Sequence, residues 1–285
     1  MVYDTFMFFN ELDLLEIRLK YLDSVVDKFV ITECTVTQSG EPKPLYFKDN
    51  KGRFSKWEHK IIHHIIDDVP EDFTQRTDDL DRNKILDMMS NYKHYPHDVW
   101  RYENETYQKE CILLALKDCT DDDMIIFSDV DEIPEKELIF KLANISIPNT
   151  EHINLKQKMC QYYVNVMKEE DWYGSRVFSY SCVKNLDYGL NGMRVTSNRR
   201  GHTINHSGWH FTFLGGYEKI KEKIKAYGHQ EFNIPIVLDN IKYNVDNNLD
   251  IFYRPNQKYV DIGLDSFPEE LIHILKEYPQ FIKGE

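Results

Sequence analysis

The stretch Met124-Ile125-Ile126-Phe127-Ser128-Asp129-Val130-Asp131-Glu132-Ile133-Pro134 decides how this chain reads. Its apolar head has the length and composition of a short buried strand. Its tail carries two aspartates one residue apart, then a glutamate, and then a proline that forbids further pairing. In an α/β sheet, ligands collect at the carboxyl ends of strands. Alternate residues of an extended chain share a face, so Asp129 and Asp131 can meet one cation together. Hard carboxylate oxygens suit Mg²⁺ or Mn²⁺, which in turn suit a diphosphate. D-x-D pairs also occur in solvated turns and caps. The apolar run before this one and the proline after it favour a metal–diphosphate site.

Working outward, Val2–Phe9 reads as a first strand and Asn10-Glu11 as the start of a helix. Leu12, Leu15, Ile17, Leu19 and Leu22 form the packed face of that helix. Glu11 and Asp13 sit in its first turn, where the helix dipole favours negative charge. Asp27–Thr32 is a second strand ending at Glu33, which completes a right-handed βαβ unit. The turn between strand and helix lacks G-x-G-x-x-G, so the dinucleotide fingerprint is absent. Thr35–Arg53 reads as a loop, Lys60–Ile66 as a strand, Asp67–Asp81 as solvated acidic chain, and Trp100–Asp118 as a helix. After Pro134 come a short helix (Glu135–Leu142), a strand-like aromatic stretch (Glu151–Val166) and a polar stretch containing Arg194, Arg199 and Arg200. Glu218–Tyr227 is a Lys/Glu-rich helix stopped by Gly228. Asn244–Glu285 reads as a peripheral tail with a last helix near Glu269–Tyr278. The predicted organisation is one α/β domain over 1–243 and a C-terminal extension over 244–285 packed on it.

The 285 residues are enough for a full core. A net charge of −13 offers no basic field for nucleic acid or for an anionic membrane surface. Five cysteines without C-x-x-C spacing fit neither a zinc site nor a disulfide scaffold, and reduced thiols are expected. No secretory leader and no membrane-spanning run of about 18 apolar residues is found, so the expected compartment is cytoplasmic. Asn104, Asn144 and Asn205 each head an N-x-S/T triplet, which carries little weight without a leader.

Several blocks together resemble glycosyltransferase family 17, which includes the β-1,4-mannosyl-glycoprotein N-acetylglucosaminyltransferases. They are Tyr3-Asp4-Thr5-Phe6 through Phe9-Asn10-Glu11-Leu12-Asp13-Leu14-Leu15-Glu16-Ile17-Arg18-Leu19, Val26–Ile31 with Glu33, and Gly40–Phe47. Ser128–Pro134 and Gly208-Trp209-His210-Phe211 complete the set. The resemblance covers roughly residues 3–230. It implies a GT-A-like (Rossmann-like) mixed sheet flanked by helices, a nucleotide-sugar donor, a divalent cation held through the D-x-D, and inversion at the anomeric carbon. A UDP-linked sugar such as GlcNAc and a glycan acceptor are the expected partners, in a compact version without the membrane anchor of the animal enzymes.

On that reading Asp131 is the direct ligand of Mn²⁺ or Mg²⁺. Asp129 is a second ligand, through water, or a ribose contact. His210 is a third candidate ligand, because a neutral imidazole suits Mn²⁺; a hydrogen-bonded core histidine is the alternative. His229 is a weaker version of the same idea. Inversion needs a general base, for which Glu132 and Asp171 are the candidates. If the strand continues, Glu132 faces away from its neighbours, which favours a structural role. Phe9, Asn10, Glu11 and Glu33 are placed at the donor base and ribose, and Arg194 and Arg199 at the diphosphate. Arg18 is expected to pair with a neighbouring acid. Trp172, Tyr173 and Trp209 are candidate sugar-stacking platforms, with core packing as the competing role. Two other classes share some features. A haloacid-dehalogenase-type phosphatase also places D-x-D after an apolar strand, but followed by Gly and near the chain start. A non-catalytic sugar-binding module would explain the aromatics but not the βαβ start.

Overall fold

Strand β1 (Val2–Phe8) lies between β2 (Lys28–Cys34) and β4 (Met124–Asp129), parallel to both, and β3 (Ile61–Ile66) runs parallel on the far side of β2. This computed structural model describes residues 1–91, 99–196 and 201–284. Register decides where the site falls. Phe8 pairs with Glu33 and Met7 with Asp129, so the carboxyl ends of β1, β2 and β4 finish level at one edge. That edge is where an α/β sheet binds ligands.

Parallel strands buried on both faces need apolar residues at successive positions. In β4, Met124 and Ile126 join one core with Phe6 of β1 and Leu15, Ile17 and Leu19 of the first helix, Leu12–Leu22. Ile125 and Phe127 point the other way, into a second core with Tyr3, Ile112, Leu116, Leu190 and Met193. The sheet therefore has a layer on each face. The helix from Trp100 runs to Glu110 and tightens into 3₁₀ turns over Cys111–Leu116, somewhat short of the expected Asp118. Leu80–Asn91 is a helix where acidic irregular chain was expected up to Asp81, with Ile85, Leu86 and Met89 as its buried stripe. Its neighbours in sequence hid that stripe.

With β5 (Glu132–Pro134), β6 (Ile153–Gln161), β7 (Val166–Trp172), β8 (Arg176–Ser179), β9 (His202–Thr212) and β10 (Tyr259–Asp261), ten strands among the described residues form one sheet. Beyond β4 the described pairings are antiparallel except that of β6 with β9, which is parallel. The order is β10-β7-β6-β8-β4-β1-β2-β3, with β9 paired to both β6 and β5. The strand expected over Glu151–Val166 is β6, which ends at Gln161; the chain then turns at Tyr162, with φ 75°, and β7 begins at Val166. A register shift in the β6–β9 pairing lies where β9 passes His206 and Gly208. Gly208 sits at φ +129°, and a Cβ there would lie 2.3 Å from the Ile133 carbonyl oxygen, so only glycine fits. The irregularity lets β9 reach β5 and pairs Glu132 with His210.

The C-terminal residues are more than a peripheral tail. Val245 and Ile251 pack with Ile220 and Ile224 of the helix Tyr217–Ala226, and Leu271 and Leu275 enter the main core. A mixed α/β sheet flanked by helices, in one domain, is the architecture the family resemblance implies.

Candidate functional site

The D-x-D turn is held by a buried arginine. Arg18, on the first helix, is fully buried and pairs bidentately with Asp4 of β1, Nε to Oδ2 at 2.7 Å and Nη2 to Oδ1 at 2.6 Å. The expected ion pair is therefore with Asp4. The same guanidinium donates to Ser128 Oγ at 2.6 Å and to the carbonyls of Asp129, Val130 and Glu132 at 3.1, 3.2 and 2.8 Å. The Asp131 carbonyl accepts from the Phe211 N–H at 2.7 Å. Every carbonyl from 129 to 132 thus has a donor, which buried backbone requires. Only the rigid, five-donor fork of arginine can serve them from one side chain.

Glu132 is buried by this turn and faces away from the cavity. Its carboxylate accepts from the Asp129 N–H at 3.0 Å and from Trp172 Nε1 at 2.5 Å, and it forms a two-pronged ion pair with Arg194. A Cβ on Gly174 would stand 1.9 Å from Glu132 Oε1, so the chain passes against the carboxylate with no room for a side chain. Those partners make Glu132 the anchor of Arg194; as a base facing an acceptor it is misplaced. Asp171 is also misplaced as a base. It lies outside the cavity and pairs with Lys156 and Lys158 of β6 at 3.0 and 2.8 Å.

Arg194 arrives on the short helix Gly189–Thr196. The start of that helix is capped from another element, the Glu110 carboxylate accepting from the N–H groups of Leu190 and Asn191 at 2.7 and 2.8 Å. Four N–H groups are orphaned at any helix start, and a carboxylate there satisfies two and suits the dipole. Burial still dominates, pushing the Glu110 carboxyl up to about 7. From this mount Arg194 Nη2 reaches Asp129 Oδ2 at 2.7 Å.

A cavity of about 460 Å³ opens at the level ends of the parallel strands, lined by Phe9, Glu11, Asp129, Asp131, Trp172 and His210 among others. Lys223 Nζ donates to Asp131 Oδ2 at 2.8 Å and lies 3.5 Å from Glu11 Oε1. His210 Nε2 is 3.4 Å from Asp131 Oδ1, its ring 4.8 Å from that of Trp172, and its Nδ1 is buried without a partner. Burial works against ionisation of Asp131, yet Lys223 and His210 outweigh it and hold the carboxyl well below the usual carboxylate range. For Asp129, burial is likewise overcome, by Arg194 and Lys109, and the carboxyl lies below its ordinary value.

The donor set suits a divalent cation in part. Asp131 and His210 bring a carboxylate oxygen and an imidazole nitrogen close enough to share one ion, and that chemistry fits Mn²⁺ or Mg²⁺. Asp129 is turned to Arg194 instead, and no group of three or more His, Cys, Asp or Glu suited to a metal is found among the described residues. A cation here would take its remaining ligands from water or from a bound ligand.

Other expected site residues separate clearly. Glu33 is fully buried and accepts from the Phe47 and Lys48 N–H groups at 2.8 and 3.3 Å, with His63 at 3.1 Å. It fastens the chain after β2 and does not line the cavity, so a contact with uracil or ribose is not its place. Asn10 stays outside the lining too, its N–H donating to Glu11 Oε2 at 3.0 Å. Trp209 packs against Tyr21, Phe211 and Phe267 in the core, and Tyr173 lies outside the cavity under Lys156. Neither is a stacking platform in the cavity; Trp172 is the one of the three that lines it. Arg199 lies outside the described residues. Gly228 does not adopt the left-handed cap expected of a helix stop; its N–H donates to Gln38 Oε1 at 3.0 Å. His229 lines the cavity, with Nδ1 2.8 Å from Glu231 Oε1. The cavity also recruits residues that the sequence did not single out: Lys43, Glu105, Lys109, Lys223, Phe252 and Arg254. Lys223 sat unmarked among the alternating charges of its helix, Lys43 stood in the Gly40–Phe47 block without a role of its own, and the others belong to segments without a motif.

A level strand edge ending in paired acids, facing a cavity that carries both carboxylates and cations, is where an α/β enzyme places its ligand. The model of glycosyltransferase family 17 matches residues 1–240, and the chain belongs to that family. It is similar to the human beta-1,4-mannosyl-glycoprotein 4-beta-N-acetylglucosaminyltransferase, 27% identical over 248 residues, 78% of this chain and 42% of the human protein. The Rattus norvegicus protein of the same name is 29% identical over 132 residues, covering 45% of this chain and 20% of the relative. The chain thus spans less than half the length of these relatives. No helix among the described residues is long and apolar enough to cross a membrane.

Proposed function

We propose that the protein transfers a sugar, GlcNAc or another UDP-linked sugar, from a nucleotide donor to a glycan hydroxyl with inversion, assisted by Mn²⁺ or Mg²⁺. One observation carries the reading: Asp129 and Asp131 stand at the carboxyl edge of the parallel strands inside the cavity, each balanced by a cation. Asp131, with His210 beside it, is the residue that would hold the metal. The bound ion would supply Lewis-acid neutralisation of the leaving diphosphate. Arg194 and Lys223 are the chain's own cations in reach of that diphosphate, fixed in place by Glu132 and by Asp131 and Glu11. Trp172 and Phe9 supply apolar lining to the site. With Glu132 and Asp171 committed elsewhere, His229 is the base. Glu231 holds Nδ1, which leaves Nε2 to accept the proton of the acceptor hydroxyl.

The test is thermal stability against UDP, GDP, CMP and TDP, each with and without Mn²⁺, since a ligand of the native state raises the melting point by mass action. A shift with UDP that requires Mn²⁺ and disappears in Asp131→Ala is expected. A UDP shift retained in Asp131→Ala would remove the D-x-D from the donor site, and no shift with any nucleotide would favour a plain sugar-binding module.

A further inference from the structure

One wall of the cavity is completed by residues beyond those matched by the family. Phe252 and Arg254 lie beyond residue 240, where that match ends, yet both line the cavity with Phe213, Tyr227, His229 and Phe232. The rings form a continuous cluster: Phe232 and Phe252 centroids are 4.4 Å apart, Phe213 and Phe252 5.6 Å, Tyr227 and His229 5.7 Å. All three phenylalanines are only partly buried, so ring surface remains open to the cavity. The cluster begins one side chain from the D-x-D, because Lys223, which pairs with Asp131, lies 5.7 Å from the Phe213 ring centroid.

This wall is stiff. Val237, Ile241, Val245 and Ile251 are buried together against Ile220 and Ile224, which ties the loop carrying Phe252 to the helix carrying Lys223. Arg254 is folded back onto the wall, donating to Asp250 at 2.6 Å and lying 5.2 Å over the Phe252 ring. Its charge is therefore already answered. One polar atom is not: the Tyr227 hydroxyl is buried and has no hydrogen-bond partner. A flat apolar face, an unused hydroxyl and a neutralised cation describe what a pyranose ring requires. Its C–H face lies on aromatic rings and its hydroxyls take hydrogen bonds.

Resting on the donor reading above, we propose that this aromatic wall is the acceptor subsite, and that it binds an uncharged hexopyranoside. Phe252 and Phe232 form the stacking surface, the Tyr227 hydroxyl bonds a ring substituent, and His229 stands where the reacting hydroxyl must lie. Phe252 enters this wall from the residues after 240, outside the family match, so acceptor choice depends on that segment as well.

The experiment is saturation-transfer NMR on the protein with UDP and Mg²⁺, using the methyl glycosides of mannose, glucose, galactose and N-acetylglucosamine, with methyl glucuronide as the charged comparison. At least one neutral glycoside should receive saturation, most strongly at the C–H protons of one ring face, and the glucuronide should not. Phe252→Ala should weaken that binding about 3–10-fold, the worth of an aromatic contact. Tyr227→Phe, which removes one atom and leaves packing intact, should weaken it as well. Both variants should keep the wild-type melting shift with UDP and metal. The proposal is overturned if no neutral glycoside binds, if the glucuronide binds best, or if binding survives both substitutions. Loss of the UDP shift in the wild-type protein would instead overturn the donor reading.

Discussion

Replacing Arg18 by methionine tests whether the D-x-D turn is held as described. Methionine keeps most of the apolar stem, so packing beside Phe6, whose ring centroid is 4.5 Å from the guanidinium, is largely preserved. What disappears is the charge and all its donors. The Asp4 carboxylate, 0% exposed, is left without its partner, and three backbone carbonyls lose theirs. Stranding one member of a buried ion pair costs about 3–5 kcal/mol, and the orphaned carbonyls place the expected loss at the upper end. Guanidinium unfolding measures it: the midpoint should fall with little change in slope. The double variant Asp4→Leu/Arg18→Met removes the stranded charge and should recover part of the loss, while metal-dependent UDP binding stays impaired because the turn remains unclamped. A loss below about 1 kcal/mol in Arg18→Met, or a double variant no better than the single, would refute the reasoning.

Glu110 gives a prediction in pH. Burial raises its carboxyl to about 7 in the folded protein, above its unfolded value near 4.5, so between those values the native state holds a proton that the unfolded state has released. Stability from this group is complete below about pH 4.5, declines as pH rises, and levels off above about pH 7, a change on the order of 3 kcal/mol. Glu110→Gln should abolish that slope, and equal pH profiles for the two proteins would contradict it. Gly174→Ala must push Glu132 and Trp172 apart, given the 1.9 Å approach. We expect a loss of about 2 kcal/mol or more by denaturation, together with weakened UDP binding, because Arg194 loses its anchor.

The parts of the site that follow local rules were legible in the sequence. Alternation placed Asp129 and Asp131 at a strand end, and the βαβ start announced the parallel edge that receives them. The same alternation, applied further, could have removed two candidates. Trp209 and His210 are adjacent on β9, as are Asp171 and Trp172 on β7, so one member of each pair must face away from the cavity. His210 and Trp172 face it; Trp209 goes to the core and Asp171 to the lysines of β6. Other roles depended on contacts that no local pattern encodes. Arg18 was readable as an ion-paired residue, but its hold on three carbonyls joins positions more than 100 residues apart. Glu33 looked like a strand-end ligand contact until the chain folded back to present the Phe47 and Lys48 N–H groups. Phe252 and Arg254 sit in a segment with no motif, and only the packing of that segment against the Tyr217–Ala226 helix carries them to the cavity.

The cation–carboxylate pairing in the cavity has a kinetic consequence. The molecule carries −13 overall, while the cavity lining is slightly cationic, with Glu11, Glu105, Asp129 and Asp131 set against Lys43, Lys109, Arg194, Lys223 and Arg254. An anionic nucleotide therefore approaches through a repelling outer field and is attracted only after it has entered. Screening shortens the reach of that outer field to about 8 Å at physiological ionic strength. Added salt should thus speed the encounter while loosening the contacts made after it, so that arrival and retention respond to ionic strength in opposite directions.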